Sequence, residues 1–346
     1  MIGGGVTGCS CALTLAERGI DVRLYEQRTV AGGASGRNGG FALRGGTAAY
    51  DVVRSSIGAD RARLLMELTE KAQDRLEMLA GDAFRRTGSF RLAADDAELD
   101  AVRSEHDALR EDGFAVEWVD RLEAPLDLHY HGAIFHPPDA AIVPARWVRR
   151  LARHAAEAGA AIIEHEAVSV ESLDADVVVV CADGFIPTVL PELATTVRAT
   201  RGQVVATEPL PEMRYAQPHY ARVYDYWHQR PDGRLVIGGC RDADLRGEET
   251  GLEEITPLIQ SRIEDTIERL VGFRPSITHR WAGIWGATPD ALPLAGRVPG
   301  RDTVWVAGGY TGHGNVLGLA CGDLVARAIL GEEPPELALF DPARFD

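Results

Sequence analysis

Cysteine is scarce and unpaired in pattern. Cys9, Cys11, Cys181, Cys240 and Cys321 form no C-x-x-C and are odd in number, which argues against a disulfide framework and predicts reduced thiols in a cytoplasmic setting. Cys9 and Cys11 stand two apart on an expected helix and face different directions, so packing is the role expected of all five. No apolar run reaches membrane-spanning length, and no charged-then-apolar leader opens the chain. Positive charge is in deficit: 36 Lys and Arg against 52 Asp and Glu leave a formal charge of −16, which argues against a nucleic-acid partner. A metal set is missing as well. His129, His131 and His136 lie close together in sequence, but no carboxylate or cysteine completes a ligand set, so no metal is expected.

What is present begins at the first residues. Gly3-Gly4-Gly5-Val6-Thr7-Gly8 supplies G-x-G-x-x-G through Gly3, Gly5 and Gly8, with an apolar helical stretch following over 9–18. Gly19 then marks a turn, and 22–26 reads as a strand ending in Glu26. Gly3 permits the tight turn, Gly5 lets backbone approach a pyrophosphate, and Gly8 allows helix to pack on strand. The helix start offers free N–H groups and a partial positive charge to phosphates. Glu26 stands where a carboxylate accepts bonds from a ribose diol. Turn, helix, strand and acid in that order predict dinucleotide binding. Only Met1 and Ile2 precede the glycines, so the central strand of the expected parallel sheet is a stub or the chain starts late.

Residues 27–46 form a glycine-rich loop in which ordinary helix or strand is not expected, with Ser35, Arg37 and Asn38 as donors placed among glycines. Spacing predicts a long amphipathic helix over 59–79, a hairpin over 84–93 turning at Gly88, and a second helix over 95–110. A helix over 144–158 and short strands over 160–164 and 168–171 come next. The apolar run 176–181 suits a buried parallel strand. A second β-rich excursion opens at Arg201-Gly202-Gln203, with strands over 223–228 and 234–239 and a helix over 254–271. A last strand over 303–307 runs into Gly308-Gly309-Tyr310-Thr311-Gly312-His313-Gly314 and a helix over 315–330. The fold class expected is α/β (α+β overall): a Rossmann-like domain with a parallel sheet, intertwined with a β-rich cap. At 346 residues the chain is long enough for both.

Taken together, 3–8, Glu26, 34–40, 201–203, Asp290-Ala291-Leu292-Pro293-Leu294-Ala295-Gly296 and 308–314 resemble, in order and over nearly the whole chain, the FAD-dependent D-amino-acid-oxidase superfamily of amine and amino-acid oxidoreductases. Ser35-Gly36-Arg37-Asn38-Gly39-Gly40 is most similar to its gamma-glutamylputrescine-oxidase type. The resemblance implies FAD as cofactor. Gly3, Gly5, Val6, Thr7 and Gly8 would take the pyrophosphate, Glu26 the adenosine ribose with Arg28 beside it, and Ser35, Arg37, Asn38 and Gly39 the pyrophosphate and flavin. Val168 would meet the adenine, Cys181 and Ala182 would lie near the diphosphate, and Gly309, Tyr310, Gly312, His313 and Gly314 along the pyrimidine edge of the flavin. A glycine turn feeding a helix start is suited to the negative charge of a reduced flavin, and a protonated His313 would add to it. The implied domains are 1–48, 138–200 and 280–346 for FAD, and 49–137 and 201–279 for the cap.

The chain also departs from that family. The hairpin usual between the strands near Val168 and Val177 shrinks to 172–175, and Ala182-Asp183-Gly184 replaces the usual small-plus-Gly pair. Family amino-acid oxidases often place an arginine before the 290–296 segment to hold a substrate carboxylate; the matching position here is Trp285, and indole cannot replace guanidinium. The expectation is therefore an amine or longer amino compound. Cys321 lies inside a helix, so FAD is expected to be non-covalent. The implied reaction is hydride transfer from the C–H beside a neutral amine to flavin N5, giving an imine and then a carbonyl, with O2 or another acceptor reoxidising the flavin and H2O2 formed from O2. The cofactor supplies the chemistry and the protein the orientation. Tyr224, Tyr226, Trp227, His228 and Trp285 are candidate aromatic walls, Tyr224, Tyr226 and His228 sharing one strand face. Arg44 and Gln203 are candidates to orient a polar substrate end. A 2-hydroxyacid or polyol dehydrogenase, a non-catalytic FAD-binding paralogue and a nicotinamide enzyme stay open as alternatives.

Overall fold

The structure, a computed structural model, describes residues 1–221 and 225–345. It is a mixed α/β fold. Arg23–Glu26 pairs in parallel with Ala161–Glu164, and Val178–Val180 in parallel with Val304–Gly308. Between these two ribbons lies the stub: Ile2 bridges both Tyr25 and Val180 in parallel sense. Through Ile2 the two ribbons join one sheet, whose far edge is Leu294–Arg297, antiparallel to Val304–Gly308. The helix Val6–Glu17 is buried on nearly every face because it packs between Pro144–Glu157 and Gly314–Ile329.

The second layer is an eight-stranded sheet, antiparallel save for the pairing of His219–Ala221 with Ser89–Ala93. Its longest strands, Arg198–Pro209 and Ile277–Ala287, pair from Arg198 opposite Ala287 to Thr207 opposite Ile277. Pro257–Val271 covers the back of this sheet with buried Ile259, Ile263, Ile267 and Leu270.

Several local expectations are corrected. The 84–93 hairpin does not form: Phe84–Arg85 pairs with Ala140–Ile142, whereas Ser89–Ala93 pairs with Gly132–His136. Gly88, at φ 70°, turns the chain from one sheet to the other, and its N–H donates to Asp139 O rather than to a hairpin partner. The 168–171 strand is instead a 3-10 turn, Val170–Ser172, closed by reciprocal Ser169 and Ser172 caps. The 27–46 loop carries a one-turn helix, Ala34–Arg37, and a two-residue strand, Phe41–Ala42. Of the strand expected over 223–228, Asp225–Gln229 is present; Val223 and the candidate Tyr224 lie outside the described residues.

Candidate functional site

The first glycine turn is fixed by contact as much as by conformation. Gly3 sits at φ 111°, and a Cβ there would come within 2.6 Å of Cys181 O; one on Gly8 would meet Gly3 O at 2.0 Å. Gly5 faces the loop, where a Cβ would stand 2.8 Å from Ser35 Oγ, the atom that accepts from Val6 N at 3.1 Å. The first turn of Val6–Glu17 carries no acid, so its positive end is left for an anion. Glu26 accepts from Gly4 N and from Arg28 N, both at 2.8 Å, so it braces the turn.

The glycine-rich loop is tied across the fold. Asn38 and Asn315 exchange amide hydrogen bonds at 3.1 Å, and Asn315 also donates to Phe41 O at 2.7 Å. Arg28 and Arg37 both donate to the Glu253 carboxylate, at 2.7 and 2.8 Å.

The second glycine turn approaches the first. Tyr310 OH lies 2.8 Å from Thr7 Oγ1, in the interior. Gly309, Thr311 and Gly312 all have positive φ, and Gly309 N donates to Asp183 Oδ1 at 2.9 Å. Burial pushes the Asp183 carboxyl up to about 6 against the pull of backbone N–H groups from Gly309, Gly286 and Tyr310. His313 ends this turn as the N-cap of Gly314–Ile329, with Nδ1 3.0 Å from Thr47 Oγ1. Burial lowers it to about 4, which favours the neutral imidazole as the hydrogen-bonding form.

Both turns open into one cavity. Gly5, Val6, Thr7, Ser35, Arg37, Asn38 and Gly39 line one side, and Cys181, Asp183, Tyr310, Gly312, His313 and Gly314 another. Trp285 and Tyr226 form its wall on the eight-stranded sheet, with Phe41 set edge-on to Tyr226 at 5.8 Å. Gly3, Gly8, Glu26, Arg28, Val168, Ala182 and Gly309 are not part of this lining, and Val168 packs against the core cluster that holds Val170 and Val178. Burial pushes the Cys181 thiol up to about 12, which disfavours the thiolate.

Two candidates are displaced from the cavity. In Arg198–Pro209 the alternation puts Gly202 and Val204 on the cavity side and turns Gln203 away. There Gln203 donates to Glu248 at 2.9 Å and to Thr256 Oγ1 at 2.8 Å, beside the buried Arg201–Glu248 pair. Arg44 is likewise turned inward, ion-paired with Glu70 at 2.5 Å and bonded to Ala115 O at 2.9 Å, while Leu43 faces the cavity. His228 and Trp227 are buried within the sheet. The three clustered histidines are kept apart: His129 meets Arg269 O, His131 pairs with Asp96, and His136 is buried next to Arg44. Among the described residues no three metal-ligating side chains converge, and no helix is long and apolar enough to cross a membrane.

Sequence reading passed over several lining residues. Asp183 drew notice only as a departure from a pattern. Tyr220, Thr47, Asn315 and Arg241 gave no signal, since each reaches the cavity through tertiary placement.

The DAO family model, described as FAD dependent oxidoreductase, matches residues 1–328. The chain is 29% identical over 368 residues to gamma-glutamylputrescine oxidoreductase of Escherichia coli strain K12, covering 96% of this chain and 83% of that one. It is 30% identical over 362 residues to probable oxidoreductase OrdL of Rhizobium meliloti strain 1021, covering 96% and 82%. The crystal structure of glycine oxidase from Geobacillus kaustophilus superposes with a TM-score of 0.79 at 23% identity, over 100% of this chain and 96% of that one.

Proposed function

Because the chain belongs to the DAO family of FAD-dependent oxidoreductases, we propose that it oxidises a carbon–nitrogen bond of an amine or amino compound in the cavity between the two glycine turns. The observation that carries this is the meeting of two helix starts, Val6–Glu17 and Gly314–Ile329, neither with an acid in its first turn, at one aromatic-walled cavity. Such an arrangement fits a flat cofactor with negative charge at its diphosphate and at its reactive ring. FAD held there would supply the two-electron oxidation of the C–N bond to an imine, with water completing the carbonyl and O2 or another acceptor taking the electrons.

The protein's share is placement. Gly5, Ser35 and the first N–H groups of Val6–Glu17 would hold the diphosphate, and Glu26, bracing the turn, would turn to the ribose. The Gly312–Gly314 backbone would face the flavin ring, with His313 neutral and held by Thr47. Tyr226, Phe41 and Trp285 would exclude water from the reacting carbon. Residues 1–48, 138–200 and 280–346 would carry the cofactor, and 49–137 and 201–279 the cap.

The amine substrate is supported by the names of the relatives, and a direct test separates it from its rivals. The FAD-loaded protein is mixed without oxygen with a panel of amines, amino acids and 2-hydroxy acids, and the flavin band is followed. Bleaching by amino compounds and not by hydroxy acids is expected. Bleaching by hydroxy acids alone, or by nothing, overturns the reading.

A further inference from the structure

The hydroxyl of Thr47 decides which nitrogen of His313 carries the ring proton. Thr47 Oγ1 lies 2.5 Å from Thr311 O, 3.5 Å from Tyr310 O and 3.0 Å from His313 Nδ1. A carbonyl only accepts, and two oxygens at the shortest of these distances repel unless a proton lies between them. The single hydroxyl proton of Thr47 is therefore committed to Thr311 O, and towards the imidazole Thr47 can only accept. Nδ1 is then the protonated nitrogen, which leaves the lone pair on Nε2.

Both sides of this contact are anchored. Thr311 holds left-handed backbone at φ 50°, a conformation that a threonine keeps only where its surroundings impose it. Its N–H donates to Gly286 O at 2.8 Å, and its Oγ1 accepts from Thr288 N at 3.2 Å. On the other side Gly45 N donates to Thr69 Oγ1 at 2.8 Å, which ties the approach to Thr47 onto the helix Ala59–Ala80. The hydroxyl and its carbonyl thus meet from parts of the chain more than two hundred and fifty residues apart.

The lone pair on Nε2 is left for a ligand. Among the described residues no hydrogen bond reaches Nε2 of His313, yet it is not sealed in, whereas Nε2 of His136 and Nδ1 of His228 are buried without partners. His313 lines the cavity between the two glycine turns. Burial, which lowers the ring to about 4, favours the form that keeps this lone pair. Other acceptors on the same lining are engaged within the protein. Asp183 Oδ1 receives Gly309 N, Asn38 Oδ1 receives Gly40 N at 2.9 Å, and Asn315 Oδ1 receives the Asn38 amide. A neutral imidazole nitrogen with its lone pair free suits a ligand that brings an N–H.

We propose that Thr47 is a positioning residue that fixes His313 as the Nδ1–H tautomer, and that His313 Nε2 accepts an N–H of the substrate's amino group. This rests on the reading of the cavity as an amine-oxidising site. The contact is a hydrogen bond only, and no proton or electron changes place in it. Nitrogen NMR of the FAD-loaded protein, labelled in its imidazole nitrogens, reads the tautomer directly, and the signals lost in His313→Phe identify the ring. Nδ1 should be pyrrole-like and Nε2 pyridine-like in the parent and in Thr47→Ser. In Thr47→Val the two should move towards each other as both tautomers become populated. Reducing the flavin beforehand with dithionite lets an amine bind without turnover. Benzylamine should then shift the Nε2 signal, and benzyltrimethylammonium, of the same charge but without an N–H, should not. The Kd for benzylamine should rise at least about threefold in Thr47→Val and stay within about twofold in Thr47→Ser. A protonated Nε2 in the parent, a tautomer unchanged in Thr47→Val, or an Nε2 signal that benzylamine leaves in place overturns the proposal. Should Thr47→Val fail to fold, the parent tautomer and the benzylamine shift decide alone. If no amine bleaches the oxidised flavin while the benzylamine shift is present, amine oxidation is refuted and His313 stands as the acceptor; the reverse pair refutes His313 and leaves amine oxidation in place.

Discussion

Asp183 illustrates how a single side chain can brace a site at a cost in stability. Its carboxylate receives Gly309 N and so fixes the second glycine turn, yet burial lifts its titration to about 6. A carboxyl raised in the folded state above its unfolded value near 3.8 favours folding most below that lower value, and the contribution fades as pH climbs through about 6. Replacing it by Asn removes the titration. Between pH 4.5 and 8 the stability of Asp183→Asn relative to the parent should therefore move in the variant's favour, by no more than ~3 kcal/mol. Urea unfolding of both apo proteins at the two pH values measures this, and an unchanged difference would count against a raised carboxyl. Sequence could flag Asp183 only as an oddity after Cys181-Ala182. Its value depends on Gly286, Gly309 and Tyr310, which arrive from more than a hundred residues away. Gln203 and Arg44 failed as site candidates for a related reason. Alternation tells which residues share a face, but it does not tell which face the cavity lies on.

The close approach of two helices brings both glycine turns to one cavity. Val6–Glu17 and Gly314–Ile329 run side by side, with Ser10 Oγ donating to Leu319 O at 2.7 Å and Thr14 Oγ1 to Asp323 at 2.8 Å. Two glycines make this possible. A Cβ on Gly322 would meet Thr7 O at 2.4 Å, and one on Gly318 would meet Val6 Cγ1 at 2.6 Å. The first obstacle is backbone and the second a side chain that can rotate. Gly322→Ala should therefore cost about 2–3 kcal/mol and Gly318→Ala less, and the splayed helices of Gly322→Ala should weaken FAD binding more than those of Gly318→Ala. Thermal unfolding and flavin fluorescence titration of the two variants check the order; equal effects would mean that the helices can separate without loss. At this scale the sequence was most informative. The order glycine turn, helix, strand, acid is written in residues 1–26, and the second turn and helix in 308–330. What could not be read was sheet membership: Gly88 looks like a hairpin turn, and only Asp139 and the competing strands reveal that it changes sheets.

Across the whole molecule, the buried imidazoles decide how the protein meets acid. His136 and His228 are lowered to about 3, and His219 and His313 to about 4, in each case chiefly by burial. A histidine depressed below its ordinary 6.5 stabilises the fold above that value, and the contribution is lost as pH falls towards the folded pKa, because the unfolded chain takes up the proton first. Three buried acids, Asp139, Asp183 and Asp225, are raised and act in the opposite sense. Near pH 5.5 each histidine adds nearly one proton to the unfolded state, while each acid can add at most one to the folded state. Four against three leaves a net uptake on unfolding. Stability should thus rise from pH 4.5 to 6.5 with a slope on the order of 1 kcal/mol per pH unit, and then level off. His219 stacks between Phe90 and Trp227 inside the eight-stranded sheet, so His219→Phe should keep the packing, remove one titrating group and flatten that slope by a measurable fraction. Denaturant midpoints at pH 4.5, 5.5 and 6.5 for the two proteins decide it; a slope that is flat or falling in the parent, or unchanged in His219→Phe, would mean that these rings are not held neutral by burial.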